Sequence, residues 1–235
     1  MRWVWDATRR FPRRPHFELS ELNDECEHLI EALLRQQHGA VHYPVTTEDL
    51  AVLIEKEAED LDLYADLSAE GTGVEGVTYF DPGKRPRVAV SAELTNDDRR
   101  QNRLRTTLTH EFGHVHFHNF LWTLEAPSHE LFDAATLSPR AARCHRDSII
   151  DARVTDWMEW QAAFACGALL MPARAVATLV PSAILRRPES STSSAGTTLI
   201  AQVQERFVVS ADAARVRLSK LGYLMGSSAE VSLLR

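Results

Sequence analysis

The run His110-Glu111-Phe112-Gly113-His114 sets two histidines around a glutamate and a glycine, a spacing suited to holding a metal ion. On a helix, positions 110 and 114 lie one turn apart on the same face, so both imidazoles can reach one ion. Zinc accepts neutral imidazole nitrogen at ~2.0–2.1 Å and favours a tetrahedral shell. Glu111 lies about 100° round the helix from His110, too far round to be an ideal ligand but close to the ion's open position. There it could take a proton from a water that the metal has acidified to a pKa of roughly 7, then pass it to a leaving amine. Gly113 lets another element come close, at about 1 kcal/mol of helix propensity. Composition alone produces this short pattern in on the order of a few per cent of such chains, so the competing reading is a surface helix that carries two histidines. The neighbours Leu104, Leu108, Phe112, Val115 and Phe117 are apolar. They suit a buried helix, where two histidines and a carboxylate need partners.

A third ligand has to come from elsewhere. Positions 117 and 120 are Phe117 and Phe120 rather than Gly and His, which excludes the metzincin pattern. No Gly-Cys motif precedes the helix to supply a thiolate. The best candidate is Glu159, which shares a helix face with the small residues Ala162, Ala163 and Cys166. Small residues allow close helix packing; the alternative for Glu159 is an exposed helix acid. His116 lies about 200° from His114 and should face away. His118, one turn beyond His114, is better placed to hydrogen-bond a ligand or a loop, because three turns of one straight helix rarely converge on one ion. Cys144, His145 and Cys166 could bind metal, although inert buried thiols are commoner. His129 and Glu130 could reach a substrate, and Asp97 and Asp98 read as helix-start residues.

These side chains need elements to position them. Leu22, Cys26, Leu29, Ile30, Leu33 and Leu34 recur at helical spacing until Gly39 and Pro44 end the pattern. Thr46 or Thr47 can cap a second helix containing Leu50, Leu53 and Ile54. Residues 74–80 and 87–92 are β-rich runs joined by the turn-forming Asp81-Pro82-Gly83-Lys84, and should pair as antiparallel strands. The cluster Thr95-Asn96-Asp97-Asp98 should start a helix running through the histidines to about residue 121. Residues 123–150 read as a long polar connection, placed to act as a lid. A helix over 155–170 stops at Met171-Pro172. Residues 186–196 read as a flexible loop. Helices over 198–206 and 210–221 follow, with Ser210 as N-cap and Gly222 as stop.

The bulk properties narrow the function classes. A chain of 235 residues with 44% hydrophobic and 25% charged residues is ordinary globular material. A formal charge of −7 argues against wholesale coating of nucleic acid. No run approaches the ~20 apolar residues of a membrane span. Residues 1–16 read as a flexible basic arm, without the roughly 7–15-residue apolar core of a signal peptide. The three cysteines are widely spaced, which points to a reducing, cytoplasmic location rather than a disulfide framework.

Taken together, these motifs resemble the ImmA/IrrE family of bacterial metallopeptidases. The resemblance lies in Arg103 to His118, where the family has a basic-then-apolar approach to His-Glu-x-Gly-His and a further His four residues on. It continues in Glu159-Trp160-Gln161-Ala162-Ala163-Phe164-Ala165, in Leu169-Leu170-Met171-Pro172, and in Phe207-Val208-Val209-Ser210 followed by Arg217-Leu218. It covers about residues 45–225. The resemblance implies a cytoplasmic zinc endopeptidase that cleaves helix-turn-helix repressors and so relieves repression of a phage, mobile element or stress regulon. It implies His110, His114 and Glu159 as zinc ligands and Glu111 as the catalytic acid/base. Ala163 departs from the family, which often has Asn there. The span from His114 to Glu159 is also long for the family, as an inserted segment around 123–150 would make it.

The resulting expectation is an α+β, zincin-like metallopeptidase, mostly helical with a small antiparallel sheet. Residues 17–172 would form the peptidase domain and 173–235 a helical, helix-turn-helix-like region. A DNA-binding or interaction regulator with a structural or silent zinc site is the rival. The basic residues of 173–235, among them Arg206, Arg215, Arg217 and Lys220, would carry the DNA contacts. Against it, Arg215 and Arg217 cannot point the same way on one helix.

Overall fold

The structure, a computed structural model, describes residues 1–125, 140–145 and 156–225. In chain order it begins with β1 (Arg2–Trp5), β2 (Arg13–His16), α1 (Leu19–His38), α2 (Thr47–Glu57), β3 (Asp60–Ala65), β4 (Val74–Phe80) and β5 (Arg87–Ser91). It continues with α3 (Ala92–Thr95), α4 (Gln101–Glu125), β6 (Arg140–His145), α5 (Trp157–Leu170), α6 (Ala173–Ala177), α7 (Ser182–Arg186), α8 (Ser194–Phe207) and α9 (Ala211–Lys220). The architecture is α+β. Contacts divide the chain into two compact units, Met1–Glu21 with Thr46–Cys166, and Leu22–Val45 with Gly167–Arg235. Among the described residues no helix is long and apolar enough to cross a membrane.

The first unit is built on a four-stranded sheet of order β3-β5-β4-β6. The antiparallel pairing of β4 and β5 was legible in the sequence; the sheet as a whole is mixed, because β3 runs parallel to β5. Charged Asp60 and Asp62 alternate along β3 and hide it from a reading by apolar runs. On the other edge β6 pairs antiparallel with β4, inside the stretch read as a polar connection. The rest of that stretch, including the lid reading, lies outside the described residues. Between Val74 and Gly76 the register of β4 against β6 shifts, which makes Glu75 a bulged residue. A bulge re-aims its side chain, and the Glu75 carboxylate pairs with both Arg100 and Arg103 at the start of α4.

Thr46 caps α2 through a reciprocal box with Asp49. Asp97 accepts from the Arg99 N–H at the turn leading into α4. Helix α4 is buried on nearly every side: Leu104, Leu108, Phe112, Val115, Phe117, Leu121 and Trp122 are buried, and so are Thr107, Thr109, His110, Glu111, His114 and His118. A helix covered all round carries no single apolar stripe. Phe80 of β4 stacks on Trp122 with ring centroids 3.9 Å apart, and Phe11 meets both Trp122 and Trp157 edge-on.

Residues 1–16 depart from the flexible arm expected of them. β1 and β2 pair antiparallel from Arg2 opposite His16 to Trp5 opposite Arg13. Many arginines concealed the ordering groups, which are few: buried Asp6, Phe11 and Pro15. Asp6 accepts from the Thr8 N–H and hydroxyl, the Phe11 N–H and the Trp157 indole N–H at 2.7–3.1 Å. Arg10 pairs with Asp156 at 2.9 Å, and Arg14 lies over the Trp157 ring.

In the second unit, α1 buries the apolar face read from its spacing, including Leu22, Cys26, Ile30, Leu33 and Leu34. Residues 186–196 are more structured than a flexible loop. Glu189 bridges to Leu224, and Ser193 caps α8 by accepting from the Gly196 N–H. Ser210 caps α9 by accepting from the Ala213 N–H at 3.1 Å, and Gly222 turns the chain out with φ +78°. Arg217 is buried and donates from Nε to the Met171 carbonyl at 2.9 Å, whereas Arg215 is exposed.

Candidate metal centre

His110 and His114 lie on one face of α4, and Glu159 of α5 meets them. His110 Nε2 is 3.2 Å from His114 Nε2 and 3.2 Å from Glu159 Oε2, while His114 Nε2 is 3.3 Å from Glu159 Oε1. Tetrahedral bonds of ~2.0–2.1 Å place neighbouring ligand atoms about 3.3 Å apart; the two imidazole nitrogens stand at that separation from each other, and each from one of the two Glu159 oxygens. Both imidazoles are fully buried and Glu159 is partly exposed. These three residues could hold a metal ion. Burial alone would raise the Glu159 pKa, but His114 and His110 beside it outweigh burial and hold the carboxyl well below its usual range. The carboxylate form needed for ligation is therefore the favoured one.

The close approach of the two helices follows from side-chain size. A Cβ on Gly113 would come 2.9 Å from the Ala162 Cα and 3.3 Å from its Cβ. Neither helix could keep this separation with larger residues at the crossing, and Glu159 stands one turn before Ala162 on α5.

Glu111 is fully buried and points from α4 toward β4. Its Oε2 accepts from the Thr78 hydroxyl at 2.6 Å. A Cβ on Gly76 would stand 2.5 Å from Glu111 Oε1 and 2.8 Å from Thr107 Cγ2, so only glycine leaves room for the carboxylate there. Gly76 and Thr78 are two residues apart and share a strand face. Sequence reasoning missed both. The available signal was a lone glycine inside a strand pattern, which marks a bulge or a close approach, and here both hold.

The remaining candidates separate cleanly. His118 stands behind His114, with its Nδ1 3.1 Å from His114 Nδ1. Its other nitrogen, Nε2, is 3.1 Å from Gln161 Oε1, and the Gln161 amide nitrogen donates to the Pro15 carbonyl at 3.2 Å. Burial, followed by the neighbouring His114, pushes the His118 pKa well below its ordinary value. His116 faces away, as the helical angle requires, with Nδ1 against the Glu57 carboxylate at 2.9 Å. Cys166 lies behind α4, where its sulfur meets the Thr109 hydroxyl at 3.2 Å. His129 and Glu130 lie outside the described residues, as do the side chains of Cys144 and His145. Gln161 was passed over because nothing in its own type or spacing distinguishes it. No protein-family model matches the chain, and no curated protein matches it.

Proposed function

We propose that the chain is a zinc-dependent endopeptidase in which His110, His114 and Glu159 hold the ion and Glu111 is the catalytic acid/base. The observation that carries this reading is that two imidazole nitrogens stand 3.2 Å apart, each within 3.2–3.3 Å of a Glu159 oxygen, with the buried Glu111 carboxylate one residue beyond His110 on the same helix. Two imidazoles and one carboxylate are a donor set that zinc accepts in hydrolases with an open fourth position. What such an ion supplies when bound is Lewis acidity, which acidifies a water and polarises a carbonyl. The Thr78 hydroxyl fixes the Glu111 carboxylate, leaving it oriented for proton transfer rather than ligation. Glu111 itself is fully buried, as are its helix neighbours Leu108, Phe112 and Val115, so the carboxylate is held out of bulk water.

The substrate class rests on the resemblance to ImmA/IrrE peptidases set out above. On that footing the fold is zincin-like, the setting cytoplasmic, and the substrate a helix-turn-helix repressor whose cleavage relieves repression. Direct DNA reading by α8 and α9 finds less support. Arg217 is buried, so it cannot reach a phosphate from α9, and exposed Arg215 lies beside Asp212 at 3.5 Å.

The test is cleavage of helix-turn-helix repressors offered as substrates, with zinc, comparing wild type and Glu111→Gln. Glu111→Gln should retain the metal and lose at least about a hundredfold in rate, the usual contribution of a positioned base. A wild-type protein that takes up no metal would sink the reading.

A further inference from the structure

Beneath the metal centre, four hydrogen-bonding groups run in a single direction from the N-terminal ribbon to His114. The chain begins at the Pro15 carbonyl in β2, which can only accept. Gln161 must therefore turn its amide nitrogen toward it, at 3.2 Å. The other end of that amide is then the carbonyl oxygen Oε1, again only an acceptor, and it lies 3.1 Å from His118 Nε2. So His118 carries its proton on Nε2. A neutral imidazole protonated there has its lone pair on Nδ1, and this atom is 3.1 Å from His114 Nδ1. His114 must donate, which places its proton on Nδ1 and its lone pair on Nε2. That Nε2 is the atom standing 3.2 Å from His110 Nε2 and 3.3 Å from Glu159 Oε1.

We propose that His118 and Gln161 are positioning residues of the metal centre. They carry the acceptor-only character of the Pro15 carbonyl across two side chains, so that His114 presents a lone pair to the ion before it arrives. The N-terminal ribbon is thereby a part of the centre. This inference rests on His114 being a metal ligand. Each step is buried: Pro15, Gln161, His118 and His114 all lie out of solvent. No water is needed to break or reverse the direction. Reversal at any one position would set two protons or two lone pairs face to face inside the protein. A ligating histidine commonly donates its far N–H to an oxygen; here a second histidine takes that place, and the orienting oxygen lies on another element.

The deciding measurement is the imidazole ring-nitrogen NMR spectrum of the metal-free, full-length protein, which distinguishes the two neutral tautomers directly. Wild type should show His114 protonated on Nδ1 and His118 on Nε2. Gln161→Leu, which removes the acceptor, should turn His114 into a mixture of tautomers and weaken zinc binding about ten- to a hundredfold. Gln161→Glu, protonated on the oxygen that faces the Pro15 carbonyl, donates there, keeps an acceptor toward His118 and should restore both the tautomer and the affinity. A wild-type His114 protonated on Nε2 would overturn the proposal without any variant having to fold. So would a Gln161→Leu protein with unchanged tautomer and unchanged affinity. Failure to bind zinc is read from the affinity titration alone, and that result strikes the peptidase reading. The tautomer spectrum of the metal-free chain reports on the hydrogen-bond direction independently.

Discussion

Glu111 is buried against a strand, and two residues of that strand decide whether it can act. Thr78 donates to one carboxylate oxygen at 2.6 Å, and Gly76 leaves the space in which the other stands, 2.5 Å from where a Cβ would be. Gly76→Ala should therefore push the carboxylate off its position while leaving His110, His114 and Glu159 in place. Misplacement on the order of 1 Å costs about a hundredfold in catalysis. The expected result is normal metal content with peptide hydrolysis lowered by about that factor; wild-type turnover would show that Glu111 does not act from this position. At this scale the residues that could hold a metal ion were legible in the sequence, because ligand chemistry restricts residue type and the helical period places His110 and His114 together. Thr78, Gly76 and Gln161 were not. Each acts across elements, and contacts across elements leave no period in the chain.

The crossing of α4 and α5 decides whether Glu159 reaches the two histidines. Gly113 and Ala162 make that crossing close, and the small-residue face of α5 allowed the approach to be anticipated from the sequence. Gly113→Ala improves helix propensity by about 1 kcal/mol. The new methyl, however, would stand 2.9 Å from the Ala162 Cα, a backbone atom that cannot swing aside. Overpacking of this kind typically costs 1–3 kcal/mol, roughly cancelling or exceeding the propensity gain. The variant should fold with stability within about 2 kcal/mol of wild type. By displacing Glu159 it should bind zinc at least about tenfold more weakly, as measured by competition with a chelator. Unimpaired zinc affinity would mean that the helices separate elsewhere, or that Glu159 follows the ion. Helix caps at Thr46, Asp97 and Ser210 were equally readable, since a cap is a local hydrogen bond with its own residue types. The strands β3 and β6 were not, because their pairing partners rather than their composition make them strands.

For the molecule, the largest departure from the sequence reading is its first sixteen residues. Five arginines between positions 2 and 14 make the segment look like a solvated arm, yet one buried carboxylate organises it. Asp6 accepts from Thr8, Phe11 and Trp157, and so ties the turn between β1 and β2 to the start of α5, near the residues that build the metal centre. Burial alone would raise its pKa, but these hydrogen bonds outweigh burial and lower it beneath its ordinary 3.8. Between that lowered value and 3.8 the unfolded chain binds more protons than the folded one, so stability falls as pH drops through this window and is fully present above it. Asp6→Asn removes the charge and sets an amide N–H₂ against donors, which costs about 1–3 kcal/mol at neutral pH. Urea unfolding of the metal-free protein should show that deficit at neutral pH. The deficit should shrink as pH falls from 3.8 through the lowered folded value, where the folded wild type also loses the Asp6 charge. A deficit independent of pH would assign the ribbon's order to Phe11 and Pro15 instead. Because Pro15 is the far end of the chain that orients His114, Asp6→Asn should also weaken zinc binding, though less than Gln161→Leu, since the ribbon is loosened rather than cut.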